Sequence, residues 1–136
     1  MDAAQPNRLT AIIADDHVAF LQRIARIVAQ DFEIVAIAAD GQRSVDASIK
    51  FPADVLLLDI SMPGLDGFEV AREIRSRGLK SKVVFVTVHE EPDFMESAMH
   101  FGADGYVFKS RLDTDLPRAL KAVVAGGKFV SGDRNV

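Results

Sequence analysis

Three aspartates in this chain end apolar runs. Asp59 follows Val55-Leu56-Leu57-Leu58 and opens the loop Ile60-Ser61-Met62-Pro63-Gly64-Leu65-Asp66-Gly67. Asp15 and Asp16 follow Ile12-Ile13-Ala14. A short apolar run reads as a buried parallel strand, and open α/β sheets place their chemistry at the carboxyl ends of such strands. If the two strands are neighbours, three carboxylates meet at one edge. They repel unless protons are retained or a cation sits among them. The chain has no cysteine, and hard oxygen ligands favour Mg²⁺, with Mn²⁺ as the alternative ion. His17 follows the pair, but its position reads as the start of a helix rather than as a ligand.

Two further residues complete a site for a phosphoryl group. Thr87 ends a later apolar run with a hydroxyl donor, and Lys109 ends another with a compact cation on a long stem. Phosphorylating a carboxylate requires an exposed nucleophile, a divalent ion and donors for the other phosphoryl oxygens. Asp59, Asp16 with Mg²⁺, Thr87 and Lys109 supply these. Singly, each has a plain structural role: Asp-Asp caps a helix, a Thr ends a strand, a Lys is a solvated charge. Tyr106 alone reads as a half-buried strand aromatic. The combination, in this order at successive strand ends, is specific.

Elements to position these residues follow from periodicity. Strands are predicted at Leu9–Ala14, Phe32–Ala38, Val55–Asp59, Lys82–Thr87 and Gly105–Lys109. Helical spacing covers Val18–Gln30 through Leu21, Ile24, Ala25 and Val28. A weaker helix spans Gly41–Phe51, with Val45, Ser48 and Ile49 on one face, and Pro52 closes it. Asp66-Gly67-Phe68-Glu69 has capping-box spacing ahead of Val70, Ala71 and Ile74, and Gly78 stops that helix. Pro92 suits the first turn of a helix running to about Phe101. Asp113 or Thr114 is placed to cap the last helix, with Leu116, Ala119, Leu120, Val123 and Val124 inward and Gly126-Gly127 at its end. Five β units, each followed by α, imply a doubly wound parallel (βα)5 sheet with helices on both faces.

Composition narrows the function. The 136 residues fit one domain, and 49% hydrophobic with 26% charged residues describes a globular chain. No apolar stretch reaches membrane-spanning length, and the N-terminus lacks the pattern of a signal peptide. The missing cysteine suits a cytoplasmic location. A net charge of −4 without a Lys/Arg stripe argues against gripping DNA directly.

On these motifs the chain resembles a response-regulator receiver domain, the phosphoacceptor half of two-component signalling. The resemblance runs from about Leu9 to Gly126. Residues 1–8 are then a flexible N-terminus and 127–136 the start of a linker or tail. It implies the flavodoxin-like strand order 2-1-3-4-5. It implies that Asp59 accepts phosphate from a histidine kinase or phosphotransfer protein. Mg²⁺ would be held by Asp16, Asp59 and the Ser61 backbone carbonyl, with Asp15 acting mainly through water. Thr87 and Lys109 would contact the phosphoryl group, and Tyr106 stands at the family's switch aromatic. Phosphorylation would draw Thr87 inward, let Tyr106 fill the vacated space, and remodel the face of helix 4, strand 5 and helix 5. That face would serve an output or a phosphorylation-dependent homodimer. Phe94, Met95, Ala98, Met99 and Phe101 exceed what one narrow core stripe needs.

Asp15-Asp16-His17 with Phe20, Thr87-Val88-His89, and the segment Ala119 to Ser131 resemble the NarL/FixJ or LuxR-type subfamily. Its receivers precede a helix-turn-helix domain, which these residues do not include. DNA would be reached only through such a domain. The alternative is a stand-alone receiver acting by protein contacts. The chain departs from the family at Ser110, where many members have Pro, at Val88, where many have a small residue, and at Val18. A trans bond is expected before Ser110. A Mg²⁺-dependent aspartyl-phosphate phosphatase is disfavoured because Ser61 stands where its acid/base Asp belongs. A flavodoxin-like electron carrier is disfavoured because Asp15-Asp16 would repel a phosphate.

Overall fold

The computed structural model describes residues 8–132. Apart from Arg8, the expected flexible N-terminus lies outside the described residues. The order is β1 (Thr10–Ala14), α1 (Val18–Val28), β2 (Glu33–Ala38), α2 (Gly41–Lys50), β3 (Val55–Leu58) and α3 (Gly67–Ser76). Then come β4 (Lys82–Thr87), α4 (Pro92–His100), β5 (Gly105–Phe108), a 3-10 turn (Lys109–Arg111), α5 (Leu112–Val124) and β6 (Phe129–Val130). All pairings are parallel, in the order β2-β1-β3-β4-β5-β6.

The central strands are covered on both faces, which is why β3 is an unbroken apolar run rather than an alternating one. Ile12, Leu56, Leu58 and Phe85 face α2, α3 and α4, where Val45, Val70, Ile74 and Ala98 meet them. Ile13, Leu57, Val84 and Val107 face α1 and α5, packing on Ile24, Val28, Leu116 and Val123. The predicted capping box is present. Asp66 accepts from Glu69 N at 2.9 Å, and Glu69 accepts from Asp66 N at 2.8 Å. That lock sets where α3 starts after the Asp59 loop.

Several local expectations need correction. The five predicted strands lie in the order 2-1-3-4-5, and a short sixth strand extends the sheet beyond β5. Gly126, at φ 92°, turns the chain back after α5, and Phe129 and Val130 then pair with Gly105 and Tyr106. Ser131 is buried, donates to Asp115 Oδ2 at 2.7 Å and accepts from Phe108 N at 3.0 Å. Residues 129–131 are therefore packed structure rather than linker. α5 begins at Leu112 with Arg111 at its N-cap and no side-chain cap, so Asp113 and Thr114 lie inside the first turn and cap nothing; Asp113 pairs outward with Arg23. Ile49 and Val124 lie at the solvent edge of their helices rather than in the core. α4 buries only Ala98 fully. Phe94, Met95 and Met99 are half-buried, with Phe68 of α3 stacked on Phe94 and Phe101.

Candidate functional site

Strand pairing brings the acids together. β1 and β3 run side by side with Ala14 opposite Leu58. Each strand's next residue keeps one more ladder bond, Asp59 N to Ala14 O and Asp15 N to Ala38 O, both 3.0 Å. Asp15 and Asp59 thus leave the sheet at one level, 1% and 3% exposed, with Asp16 opening to solvent beside them. The Asp59 loop is held against α3 by Gly67 N, which donates to Ile60 O at 2.7 Å. A Cβ at Gly67 would collide with the Asp59 carbonyl oxygen, so this close approach needs glycine.

Lys109 reaches the pair from the first turn after β5. Its buried Nζ is 2.8 Å from Asp15 Oδ2 and 3.1 Å from Asp59 Oδ2, and lies 4.5 Å from the centre of the Phe20 ring. The contact with Asp59 is a hydrogen bond; that with Asp15 is an ion pair without hydrogen-bond alignment. Asp15 Oδ2 thus has the Lys109 ammonium as its buried charge partner. Asp59 Oδ1 accepts from Ile60 N at 2.8 Å. Burial pushes the Asp59 carboxyl above its ordinary value, Lys109 pulls it down, and Asp15 pushes it up again. Ionised, three carboxylates against one ammonium leave two negative charges at this edge, a balance that suits one divalent ion. Asp15, Asp16, His17 and Asp59 each offer a ligand atom, all within 4.8 Å of one another.

Thr87 ends β4, fully buried, and its Oγ1 accepts from His89 N at 3.2 Å. The His89 carbonyl in turn accepts from the Tyr106 hydroxyl at 2.7 Å. The His89 ring stacks on Phe94, with centroids 4.1 Å apart, and its Nε2 is 3.0 Å from Ser61 Oγ. Tyr106 is not half-buried. It has no exposed surface, and its ring packs between Phe85 and Phe108. Burial, with Glu91 and Asp59 adding, holds the phenol in its neutral, donating form.

The departures take defined places. All described peptide bonds are trans, as expected before Ser110, whose Oγ donates to Glu90 Oε2 at 2.6 Å. Val88 is 60% exposed and lines the opening over Lys109 with Phe20, Arg23 and Glu90. Ser61 brings a hydroxyl, not a carboxyl, two residues after Asp59.

Residues 11–121 match the response regulator receiver domain family. The chain belongs to that family. It is 35% identical over 91% of its length to the transcriptional regulatory protein DegU of Brevibacillus brevis, and spans 53% of that protein. It thus covers about half the length of this curated relative. Among solved structures, a LuxR-family two-component response regulator from Aurantimonas sp. SI85-9A1 superposes with a TM-score of 0.87 at 28% identity, covering 93% and 92% of the two chains. The isolated receiver domain of RcsB from Salmonella enterica serovar Typhimurium, solved with the phosphomimetic BeF3⁻, gives 0.85 at 30% identity over 93% and 95%. These relatives set this receiver in the NarL/LuxR group of two-component response regulators. Among the described residues, no helix is long and apolar enough to cross a membrane.

Two residues at this edge, Phe20 and His89, escaped sequence reasoning about the chemistry, and a third, His17, reads from its position as a helix start. Phe20 covers the Lys109 ammonium, His17 faces the carboxylates, and His89 links Ser61, Phe94 and Tyr106. Phe20 and His17 had a signal available, since both start α1 next to the acidic pair. His89 had none beyond its place two residues after Thr87.

Proposed function

We propose that Asp59 is the phosphoacceptor of this receiver, supplied by a histidine kinase or phosphotransfer protein in a Mg²⁺-dependent reaction. The observation that carries the proposal is the meeting of Asp15, Asp16, Asp59 and Lys109 at one sheet edge. The donor set fits Mg²⁺: it is rich in carboxylate oxygen, and three carboxylates outnumber the one ammonium among them. Asp15, Asp16, Asp59 and the Ser61 backbone carbonyl are the residues to hold it. When bound, the ion offsets the charge between an anionic donor and an anionic nucleophile.

In the transfer, an Asp59 carboxylate oxygen forms the new O–P bond as the N–P bond of the donor phosphohistidine breaks. The electron pair returns to the donor imidazole, which takes up a proton. Lys109 already donates to Asp59 Oδ2 and is placed to follow the charge onto a phosphoryl oxygen. The Thr87 hydroxyl now accepts from His89 N, so its own proton is free for a second phosphoryl oxygen. Phosphorylation adds about −1.5 to −2 charges and three acceptors at this point. Drawing Thr87 towards them strains the Thr87–His89 link, and Tyr106 holds the other end of that link at the His89 carbonyl. The change passes to α4, β5 and α5, the face proposed to control a DNA-binding output domain outside this chain. The receiver is a signalling module that catalyses its own phosphorylation and slow dephosphorylation, and its proposed setting is the cytoplasm.

The test is intact mass after incubation with Mg²⁺ and a small-molecule phosphodonor. The expected result is one added phosphoryl group on the wild type and none on Asp59→Asn. An adduct that persists in Asp59→Asn refutes the assignment. So does the lack of both an adduct and beryllofluoride binding in the wild type.

A further inference from the structure

His17 caps the N-terminus of α1 through its backbone, but its ring makes no capping bond. The ring turns back over the acidic edge instead. Nδ1 is 3.0 Å from Asp16 Oδ1, 3.2 Å from Asp15 Oδ1 and 3.8 Å from Asp59 Oδ2. Ligand atoms bonded to a divalent ion at about 2.1 Å stand about 3.0 Å apart along an octahedral edge. Nδ1 stands at about that spacing from each of the two aspartate oxygens, and without an ion its contact with Asp15 Oδ1 is a hydrogen bond. Asp15 Oδ2 turns away from the ring to the Lys109 ammonium, 2.8 Å off, so Oδ1 is the Asp15 oxygen left facing the imidazole. The His17 side chain is 60% exposed, so the imidazole closes the cluster from the solvent side, where Mg²⁺ would retain a water.

We propose that His17 Nδ1 is an additional metal ligand, which makes this receiver's cation site select nitrogen-preferring divalent ions (Co²⁺, Ni²⁺, Zn²⁺) over Mg²⁺. The inference rests on the receiver reading of the acidic edge. Carboxylate oxygen alone discriminates weakly in favour of these ions, whereas a neutral imidazole beside carboxylates suits Zn²⁺ and Ni²⁺ far better than Mg²⁺. An ion held by His17 keeps one position fewer for a phosphoryl oxygen, so such ions compete with Mg²⁺ instead of replacing it.

The experiment titrates the wild type, His17→Asn and Asp59→Asn with Mg²⁺ and Ni²⁺ by calorimetry. Imidazole nitrogen shifts are recorded with Zn²⁺. The chain has three histidines, His17, His89 and His100, so the signals are separable. In His17→Asn the preference for Ni²⁺ over Mg²⁺ is expected to fall by roughly tenfold or more, with Mg²⁺ affinity changed less than about twofold. Zn²⁺ should shift Nδ1 of His17 and leave His89 and His100 unmoved. Asp59→Asn should weaken both ions. An unchanged preference in His17→Asn overturns the proposal and leaves the ring a hydrogen-bonding neighbour only. A Zn²⁺ response at His89 or His100 without one at His17 overturns it as well. Failure of the receiver reading shows differently: Mg²⁺ would not bind the wild type and Asp59 would take no phosphoryl group, whatever the Ni²⁺ preference does.

Discussion

Replacing Lys109 with methionine isolates the charge that holds the acidic edge together. The substitution keeps the length of the stem and removes the ammonium from between Asp15 Oδ2 and Asp59 Oδ2, 2.8 Å and 3.1 Å away. At an effective dielectric constant of about 20, one such contact is worth roughly 5 kcal/mol before desolvation. Removing one partner of a buried ion pair costs about 3–5 kcal/mol, because the other is left uncompensated. Against a total stability of about 5–15 kcal/mol, that is a large share. The penalty depends on pH with a definite sign. Burial already holds the folded Asp59 carboxyl above its ordinary value, and Lys109 is the main influence pulling it down. Without Lys109 the folded value climbs further. A carboxyl that binds its proton more tightly when folded costs nothing while both states are protonated. It costs stability as pH rises from the ordinary aspartate value through the folded one. Urea denaturation of Lys109→Met in chelator should therefore show a small deficit near the acid end of that window. The deficit should grow to about 3–5 kcal/mol above it, and millimolar Mg²⁺ should recover part of it by mass action. A loss under about 1 kcal/mol at pH 8 in chelator would refute this account, as would a loss that does not change with pH.

Two further predictions concern the supports of the site. Gly67→Ala drives a methyl group into the Asp59 carbonyl and the Ile60 Cα. It is expected to cost about 1–3 kcal/mol in urea denaturation and to slow phosphorylation from a small-molecule donor; a variant with wild-type stability and rate would show that the loop yields freely. Burial acts to raise the Asp115 carboxyl, but hydrogen bonds from Arg111 and Ser131 outweigh it and leave the group below its ordinary value. Its contribution is thus present above the ordinary carboxylate value and lost as pH falls through the folded one. Asp115→Ala strands the buried Ser131 hydroxyl and should lose about 1–3 kcal/mol at neutral pH. Its deficit should shrink in acid, and amide exchange at Phe129 and Val130 should quicken; exchange there as slow as in the wild type would separate β6 from this bond.

The sequence by itself determined the alternation of strands and helices, the capping box before α3, and the residues that close the strands at the acidic edge. These are local properties. An apolar run too short for a helix and ended by an acid specifies a buried strand end, and Asp66-x-x-Glu69 satisfies its own backbone donors within one turn. Strand order is not local. It depends on which strand pairs lie side by side, and the sequence supported it only through resemblance to a family. Tertiary structure alone decided that β1 neighbours β3, so that Asp15 and Asp59 share one ammonium. It also decided what two- and three-residue patterns are too short to state. Phe129–Ser131 became a strand end because a buried aspartate from α5 and the Phe108 amide were waiting for the Ser131 hydroxyl. Tyr106 became fully buried because the His89 carbonyl accepts its hydroxyl. Ile49 and Val124 sit on predicted apolar faces yet meet solvent, since they lie at the margin of an apolar stripe whose centre faces the sheet. His17 began a helix as its position predicts. The direction of its ring was set by carboxylates brought to it across the sheet, a contact that spacing along the chain does not encode.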